Sequence, residues 1–252
     1  MTAHVLETRG LSKAFGGLRA VNDISLSVAP CEVHAIIGPN GAGKSTMVNL
    51  LSGHLQPSAG QILFHGRDIT GLAPNRVSHL GIGRSFQRTN IFPSFTCLEN
   101  CWLAAQSRLK NSFRFFRRCE AYVEVRERAE RALELCGLAA HRDTLADALS
   151  YGEQRQLEIG MVLATEPSFL LLDEPMAGMG KDESARVVEL LARLSQQYAM
   201  VLVEHDMDAV FNIAHRLTVM VNGELLASGP LDQVRNDPAV QQAYLGDGEE
   251  QF

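Results

Sequence analysis

The stretch Gly38-Pro39-Asn40-Gly41-Ala42-Gly43-Lys44-Ser45-Thr46 decides how the rest of this chain is read. Its spacing, G-x-x-x-x-G-K-S, is that of a loop that holds a polyphosphate. Burying such an anion requires many donors in a small volume. Gly38, Gly41 and Gly43 let the backbone turn so that successive N–H groups converge on phosphate oxygens. Lys44 adds a point charge for the β- and γ-phosphates, and the Ser45 hydroxyl is a ligand for Mg²⁺. Residues 32–37 (EVHAII) read as a short buried strand and residues 44–51 as the first turns of a helix. That order aims the positive end of a helix at the phosphates. The loop and its setting predict a nucleoside triphosphate site built from all nine residues, 38–46.

Outward from the loop, residues 5–7 and 24–28 alternate apolar and polar side chains, as strands do, and residues 60–66 form a further strand with turn glycines at its ends. From about residue 88 to 149 the pattern is helical, with Tyr122, Val125, Ala129, Leu133 and Cys136 on one stripe, a helix–helix contact. Alternation resumes after Gly152: helix at about 153–164, strand 169–172, helix at about 182–195, strand 199–204, short helix from Asp206. This order implies a largely parallel sheet covered by helices. The predicted organisation is a single domain over 1–252, with a nucleotide-binding core and β subdomain in 1–87 and 150–245, an inserted helical subdomain in 88–149, and an acidic, frayed tail in 246–252.

The apolar strand Phe169-Leu170-Leu171-Leu172 ends in Asp173-Glu174-Pro175. A strand that delivers two carboxylates to its C-terminal end places them in the crevice where open α/β sheets bind ligands. Asp173 suits a water-mediated contact to Mg²⁺, and Glu174 suits polarising a water that attacks the γ-phosphate.

With these residues in hand the chain resembles the ABC ATPase family. Leu149-Ser150-Tyr151-Gly152-Glu153-Gln154 is similar to the family signature, usually written LSGGQ, and lies at the start of a predicted helix shortly before the Asp-Glu pair. Gln87 matches the glutamine loop, His205 the switch histidine, and Phe15 the aromatic that stacks on adenine. The resemblance implies an ATPase fold with an antiparallel β subdomain and an inserted helical subdomain on a P-loop core. It implies ATP and Mg²⁺ as ligands, with Ser45, Gln87 and Asp173 serving the metal and Glu174, His205 and Gln87 the hydrolysis. It also implies that Ser150, Tyr151, Gly152 and Glu153 face the γ-phosphate held by a second subunit, in a head-to-tail homo- or heterodimer around two ATP. Two departures stand out. Tyr151 replaces a glycine and Glu153 a glutamine of the signature, and Ala177-Gly178-Met179-Gly180 lacks the aspartate that normally crosses the dimer interface.

Phe15-Gly16-Gly17-Leu18-Arg19-Ala20-Val21, the Tyr-Gly-Glu-Gln signature and Ala243-Tyr244-Leu245-Gly246 look like the ATPase subunits of branched-chain amino acid importers, and urea-importer ATPases share several of these features. Membrane permease subunits and, indirectly, a periplasmic solute-binding protein are the implied partners, at the cytoplasmic face of the inner membrane. A groove beside Ile91 and Phe92 would receive the permease. A soluble ABC ATPase acting on DNA or ribosomes, or a non-hydrolysing regulatory module, are the competing classes. The chain has neither the paired ATPase units nor the coiled coils of the first, and it keeps the hydrolytic residues that the second would lack.

Composition agrees. The 252 residues are 46% hydrophobic with a formal charge of −6, which argues against a nucleic-acid coat protein. No apolar run approaches a membrane span, and the first residues do not form a secretion signal. Five cysteines without a C-x-x-C pair are expected to be reduced, buried thiols. The basic-aromatic run within 107–118 reads either as a solvated connector or as a contact with lipid head groups or a membrane subunit.

Overall fold

The computed structural model describes residues 4–86, 90–109 and 120–245. The first part comprises β1 (Leu6–Phe15), β2 (Leu18–Val28), β3 (Val33–Ile37), α1 (Lys44–Leu51), β4 (Ala59–Phe64), β5 (Arg67–Asp68), α2 (Pro74–His79) and β6 (Ile82–Arg84). Helices α3 (Cys97–Gln106), α4 (Glu120–Cys136) and α5 (Tyr151–Ala164) follow, with two short 3-10 turns between α4 and α5. The chain then alternates through β7 (Phe169–Asp173), α6 (Lys181–Leu194), β8 (Ala199–Val203), α7 (Met207–Ile213), β9 (Arg216–Val221), β10 (Glu224–Pro230), α8 (Leu231–Arg235) and α9 (Pro238–Leu245).

Two sheets result. One is antiparallel, in the order β2-β1-β4-β5, and the other runs β10-β9-β3-β8-β7-β6. In the second sheet every neighbouring pair is parallel except β10 with β9. Strands β3, β7 and β8 are buried at every residue, as strands with both faces covered must be. Side-chain alternation splits β7 and β8 between two cores. Leu170, Leu172, Met200 and Leu202 face the core that α3, α4, α5 and α6 complete, whereas Phe169, Leu171, Val201 and Val203 face the one shared with α1 and the antiparallel sheet. The expected fold class is therefore found, and the strand expected at 60–66 and the elements expected after Gly152 lie within a residue or two of their observed ends, whereas β1 and β2 run well beyond the expected 5–7 and 24–28, because register shifts along their pairing break the apolar–polar alternation.

Some elements escape the sequence pattern. The hairpin β9–β10 turns on Asn222-Gly223 with φ of 50° and 81°, the pair of positive angles a two-residue type I′ turn needs. On α4, Val125, Ala129, Leu133 and Cys136 are buried as predicted, while the Tyr122 side chain lies outside the described residues. So do Cys119, the segment 246–252 and the basic-aromatic run from residue 110 on. Cys97, Cys101 and Cys136 are buried and unpaired by disulfides, and burial pushes the Cys97 thiol up to about 11 and the Cys136 thiol up to about 12. Cys31 departs from the expectation: it is exposed, because it occupies the Pro30-Cys31 turn ahead of β3, with φ of 55°. Among the described residues no helix is long and apolar enough to cross a membrane.

Candidate functional site

The phosphate loop joins the C-terminal end of β3 to α1 at the centre of the larger sheet. Two of its glycines are fixed by crowding. A side chain at Gly38 would come within 2.1 Å of the Met220 carbonyl oxygen, and one at Gly43 within 2.2 Å of the Ala20 carbonyl oxygen. Gly43 is also left-handed, at φ 101°, and serves as the N-cap of α1. Lys44 is buried and folds back over the loop, its Nζ donating to the Gly38 carbonyl at 2.5 Å and the Pro39 carbonyl at 3.1 Å. Burial lowers its pKa, against the pull of the Glu174 and Asp173 carboxylates.

A cavity of about 430 Å³ opens over this loop, lined by Phe15, Leu18, Ala20, Asn40, Gly41, Ala42, Gly43, Lys44, Ser45, Thr46 and Glu174. Strands of the antiparallel sheet thus meet the phosphate loop and the carboxylate turn at one place. Phe15 is 46% exposed at its rim, which rules out a core phenylalanine and leaves a ring face for a planar ligand. Gly38 and Pro39 act from beneath, through their carbonyls.

Asp173 is the last residue of β7, paired in register with Val203 of β8, and Glu174 is the first beyond it. Glu174 is left-handed, at φ 48°, with its N–H donating to the Val203 carbonyl at 2.9 Å. Such a conformation in a non-glycine residue stands about 1–3 kcal/mol above the ordinary regions and persists only where neighbours enforce it. Burial raises the Asp173 carboxyl above its usual range, against the nearby Arg84 guanidinium, whose Nη2 lies 3.5 Å from Oδ2. Arg84 also donates to Asn49 Oδ1 at 2.8 Å and Ser52 Oγ at 2.6 Å, tying the carboxylate end of β7 to α1.

His205 stands at the end of β8, exposed, with its Nδ1 3.7 Å from the Glu204 carboxylate. Glu204 is fully buried and accepts the Met176 N–H at 3.0 Å and the His205 N–H at 3.1 Å. It therefore braces the turn after Glu174 and the histidine segment together.

The signature segment lies elsewhere. Ser150 caps α5, its hydroxyl accepting the Glu153 N–H at 3.3 Å while the Glu153 carboxylate accepts the Ser150 N–H at 2.8 Å. Gly152 donates its N–H to Glu183 of α6 at 3.2 Å, and the Tyr151 hydroxyl donates to the Ala177 carbonyl at 3.3 Å. None of Ser150, Tyr151, Gly152 or Glu153 lines the phosphate-loop cavity. Gln87 lies outside the described residues, although its neighbour Phe86 is held by Arg155 and Glu158 of α5.

The sequence reading does not single out Arg84, Arg155, Glu158, Glu183 or Glu204. Two of them leave a signal: Arg155 and Glu158 are an i,i+3 pair of opposite charge on a helix whose neighbouring Leu157 and Ile159 are buried in the core.

The chain matches the ABC transporter family over residues 21–177 and the branched-chain amino acid ATP-binding cassette transporter family over residues 224–250. It is 39% identical to the high-affinity branched-chain amino acid transport ATP-binding protein LivG of Escherichia coli K12, over 98% of this chain and 100% of that one. It is 38% identical to the corresponding protein BraF of Pseudomonas aeruginosa, with the same coverage. Among solved structures, the ADP conformation of MJ1267, an ATP-binding cassette of an ABC transporter, superposes with a TM-score of 0.85 at 32% identity, covering 96% of this chain and 99% of that one. A nucleotide-free ATP-binding cassette from an ABC transporter gives 0.83 at 32% identity, with 96% and 98% covered. A chain that carries the phosphate loop, the Asp173-Glu174 turn and the signature helix on this fold, and matches these relatives from end to end, belongs to the ABC transporter family, among the branched-chain amino acid transport ATP-binding proteins, and is an ATPase coupled to transport.

Proposed function

We propose that the chain is the ATP-hydrolysing subunit of an importer of branched-chain amino acids, acting peripherally at the inner face of the cell membrane as half of a head-to-tail dimer. The observation that carries the hydrolytic part is the convergence of Phe15, the loop 40–46 and Glu174 on one cavity. The amino acid substrate rests on the names of relatives that match from end to end.

Phe15 stacks the adenine, at about 1–3 kcal/mol by analogy with bases on aromatic platforms. The N–H groups of the loop and the N-terminus of α1 take the phosphates. Lys44 exchanges its two loop carbonyls for β- and γ-phosphate oxygens, a stronger charge-assisted pairing. Glu174 orients and polarises the attacking water, and His205 holds a γ-phosphate oxygen.

The metal fits this donor set. Ser45 offers a hydroxyl and Asp173 a buried carboxylate whose charge burial disfavours, both hard oxygen ligands suited to Mg²⁺. Ser45 and Gln87 would hold the ion directly and Asp173 through water, and the ion would neutralise charge on the β- and γ-phosphates.

The second half of the site comes from a partner. Ser150 and Gly152 do not line the loop cavity of their own chain, so a second subunit has to bring its signature to these phosphates. A permease would dock beside the stacked rings of Phe92 and Phe95, which are 45% and 39% exposed with centroids 5.4 Å apart.

Glu174→Gln tests the reading. An amide keeps the size and much of the hydrogen bonding but cannot act as base. ATP binding should persist, steady-state phosphate release should vanish, and an ATP-dependent dimer should appear on gel filtration. Turnover at the native rate would remove Glu174 from the mechanism, and a strictly monomeric variant would remove the shared site.

A further inference from the structure

We propose that Arg155 is a positioning residue for hydrolysis, clamping the backbone of the Asp173–Glu174 turn to the strand end at Phe86. The inference deepens the reading above and rests on the role given there to Glu174.

Arg155 is 2% exposed, and each of its five N–H donors is used. Nε donates to the Pro175 carbonyl at 3.1 Å, and Nη2 to the Asp173 and Glu174 carbonyls at 3.0 and 3.1 Å. Nη1 donates to the Phe86 carbonyl and to the Glu158 carboxylate. One planar fork therefore gathers three consecutive carbonyls around a residue held in the left-handed region. Glu158, itself 3% exposed, accepts the Phe86 N–H at 3.1 Å, so the ion pair holds both main-chain groups of the residue before Gln87.

A buried ion pair is weak evidence for stability, because its desolvation offsets much of its attraction. Where its bonds end is more telling. Apart from the bond to Glu158, every Arg155 bond ends on the main chain of a segment that carries or adjoins a group of the reaction. The direction in which Glu174 presents its carboxylate follows from its φ, ψ and carbonyl orientation, which Arg155 fixes. Lysine cannot substitute, having three donors on a point charge and no fork. Arg155 also stands on α5, one and a half turns from the Ser150 cap, roughly 7 Å along the axis. A displacement of the signature helix thus reaches the carboxylate turn through a single side chain.

The test separates positioning from folding. Arg155→Met/Glu158→Leu removes both charges together, a change that buried pairs often tolerate in stability. We expect a melting temperature near that of the native protein, with kcat lowered roughly 10- to 100-fold, the loss a misplacement of about 1 Å brings. KM for ATP and the affinity for a fluorescent ATP analogue should stay within about twofold, because the phosphate loop is untouched. Should that variant not fold, Arg155→Lys, which keeps the charge opposite Glu158, must show the same fall in kcat at unchanged KM. A native kcat in the folded double variant, or in Arg155→Lys where the double does not fold, would overturn the assignment, as would a loss carried wholly by KM. Glu174→Gln, assayed in parallel, distinguishes the two failures. If it is inactive while the Arg155 variants retain full kcat, the Arg155 inference alone falls; if it turns over, the Glu174 reading falls and the inference with it.

Discussion

Two helices of this chain begin at segments assigned to phosphate, and their N-termini are built in opposite ways. Helix α1 starts from Gly43, with no side-chain cap and no acidic residue in its first turn. Helix α5 starts from Ser150 inside a complete capping box, with Glu153 in the first turn and Glu183 of α6 on the Gly152 N–H. An α-helix leaves its first N–H groups without partners inside the helix, and they are met by side chains, water or a ligand. The α1 end relies on what enters the cavity, while the α5 end supplies its own acceptors. On the function proposed above, the phosphate loop is preformed for an anion, whereas the signature end would exchange carboxylates for phosphate on meeting a second subunit. The Ser150 N–H bond holds the Glu153 carboxyl below its usual range, so that end carries a settled negative charge.

The largest effect is expected at α1. Lys44→Ala deletes the buried ammonium and leaves the loop with its N–H donors alone. Charge-assisted bonds contribute roughly 1.5–3 kcal/mol each, so the affinity for ATP should fall by two orders of magnitude or more in calorimetric titration. A loss of tenfold or less would mean that the loop backbone and helix end dominate, and the contrast with α5 would then rest on geometry alone.

A smaller effect is expected at the other end. Ser150→Ala removes the cap hydroxyl, which costs about 1 kcal/mol and should lower the melting temperature by about 2–4 °C in a chain of this size. ATP affinity of the isolated subunit should not change, since Ser150 is remote from its own loop cavity. A drop in that affinity would break the separation of the two ends.

How far this contrast could be read from sequence differs between the ends. The α1 end was legible almost completely, because glycine spacing, lysine and hydroxyl are local and the strand before them is a plain apolar run. The Asp173-Glu174 turn was legible for the same reason. At α5 the sequence puts Ser150 at the start of a helix, as the structure has it, and Ser150-x-x-Glu153 is itself a capping-box pattern, yet beside the family signature Glu153 reads only as a departure from glutamine. Arg155, Glu158, Glu183, Glu204 and Arg84 were not singled out, because most of their partners lie eighteen or more residues away, and a charged residue in a helix or after a strand does not show in sequence which distant backbone it holds. The β9–β10 hairpin is a different case: Asn222-Gly223 between apolar runs is a turn signal, but the helical and strand pattern after residue 206 was too short to frame it.

The smallest effect probes the exchange directly. Glu183 lies across the signature end from α6, its carboxylate accepting the Gly152 N–H and its side-chain carbons packed where a Gly152 side chain would come within 3.0 Å. A γ-phosphate brought by a second subunit would meet that carboxylate before it met the N–H, so part of its attraction to the helix end is offset by like-charge repulsion. Glu183→Gln keeps the shape and an acceptor for Gly152 but removes the charge. Charges at exposed helix N-termini are worth about 0.3–1 kcal/mol, so in a Glu174→Gln background the ATP-dependent dimer should tighten roughly two- to fivefold in sedimentation velocity. The gain should shrink as salt is raised, since the screening length falls from about 10 Å at 0.1 M to about 3 Å at 1 M. ATP affinity of the monomer should stay fixed, because Glu183 does not line the phosphate-loop cavity. A dimer weakened by Glu183→Gln would assign the carboxylate the opposite role, that of holding the signature end in the shape the partner needs.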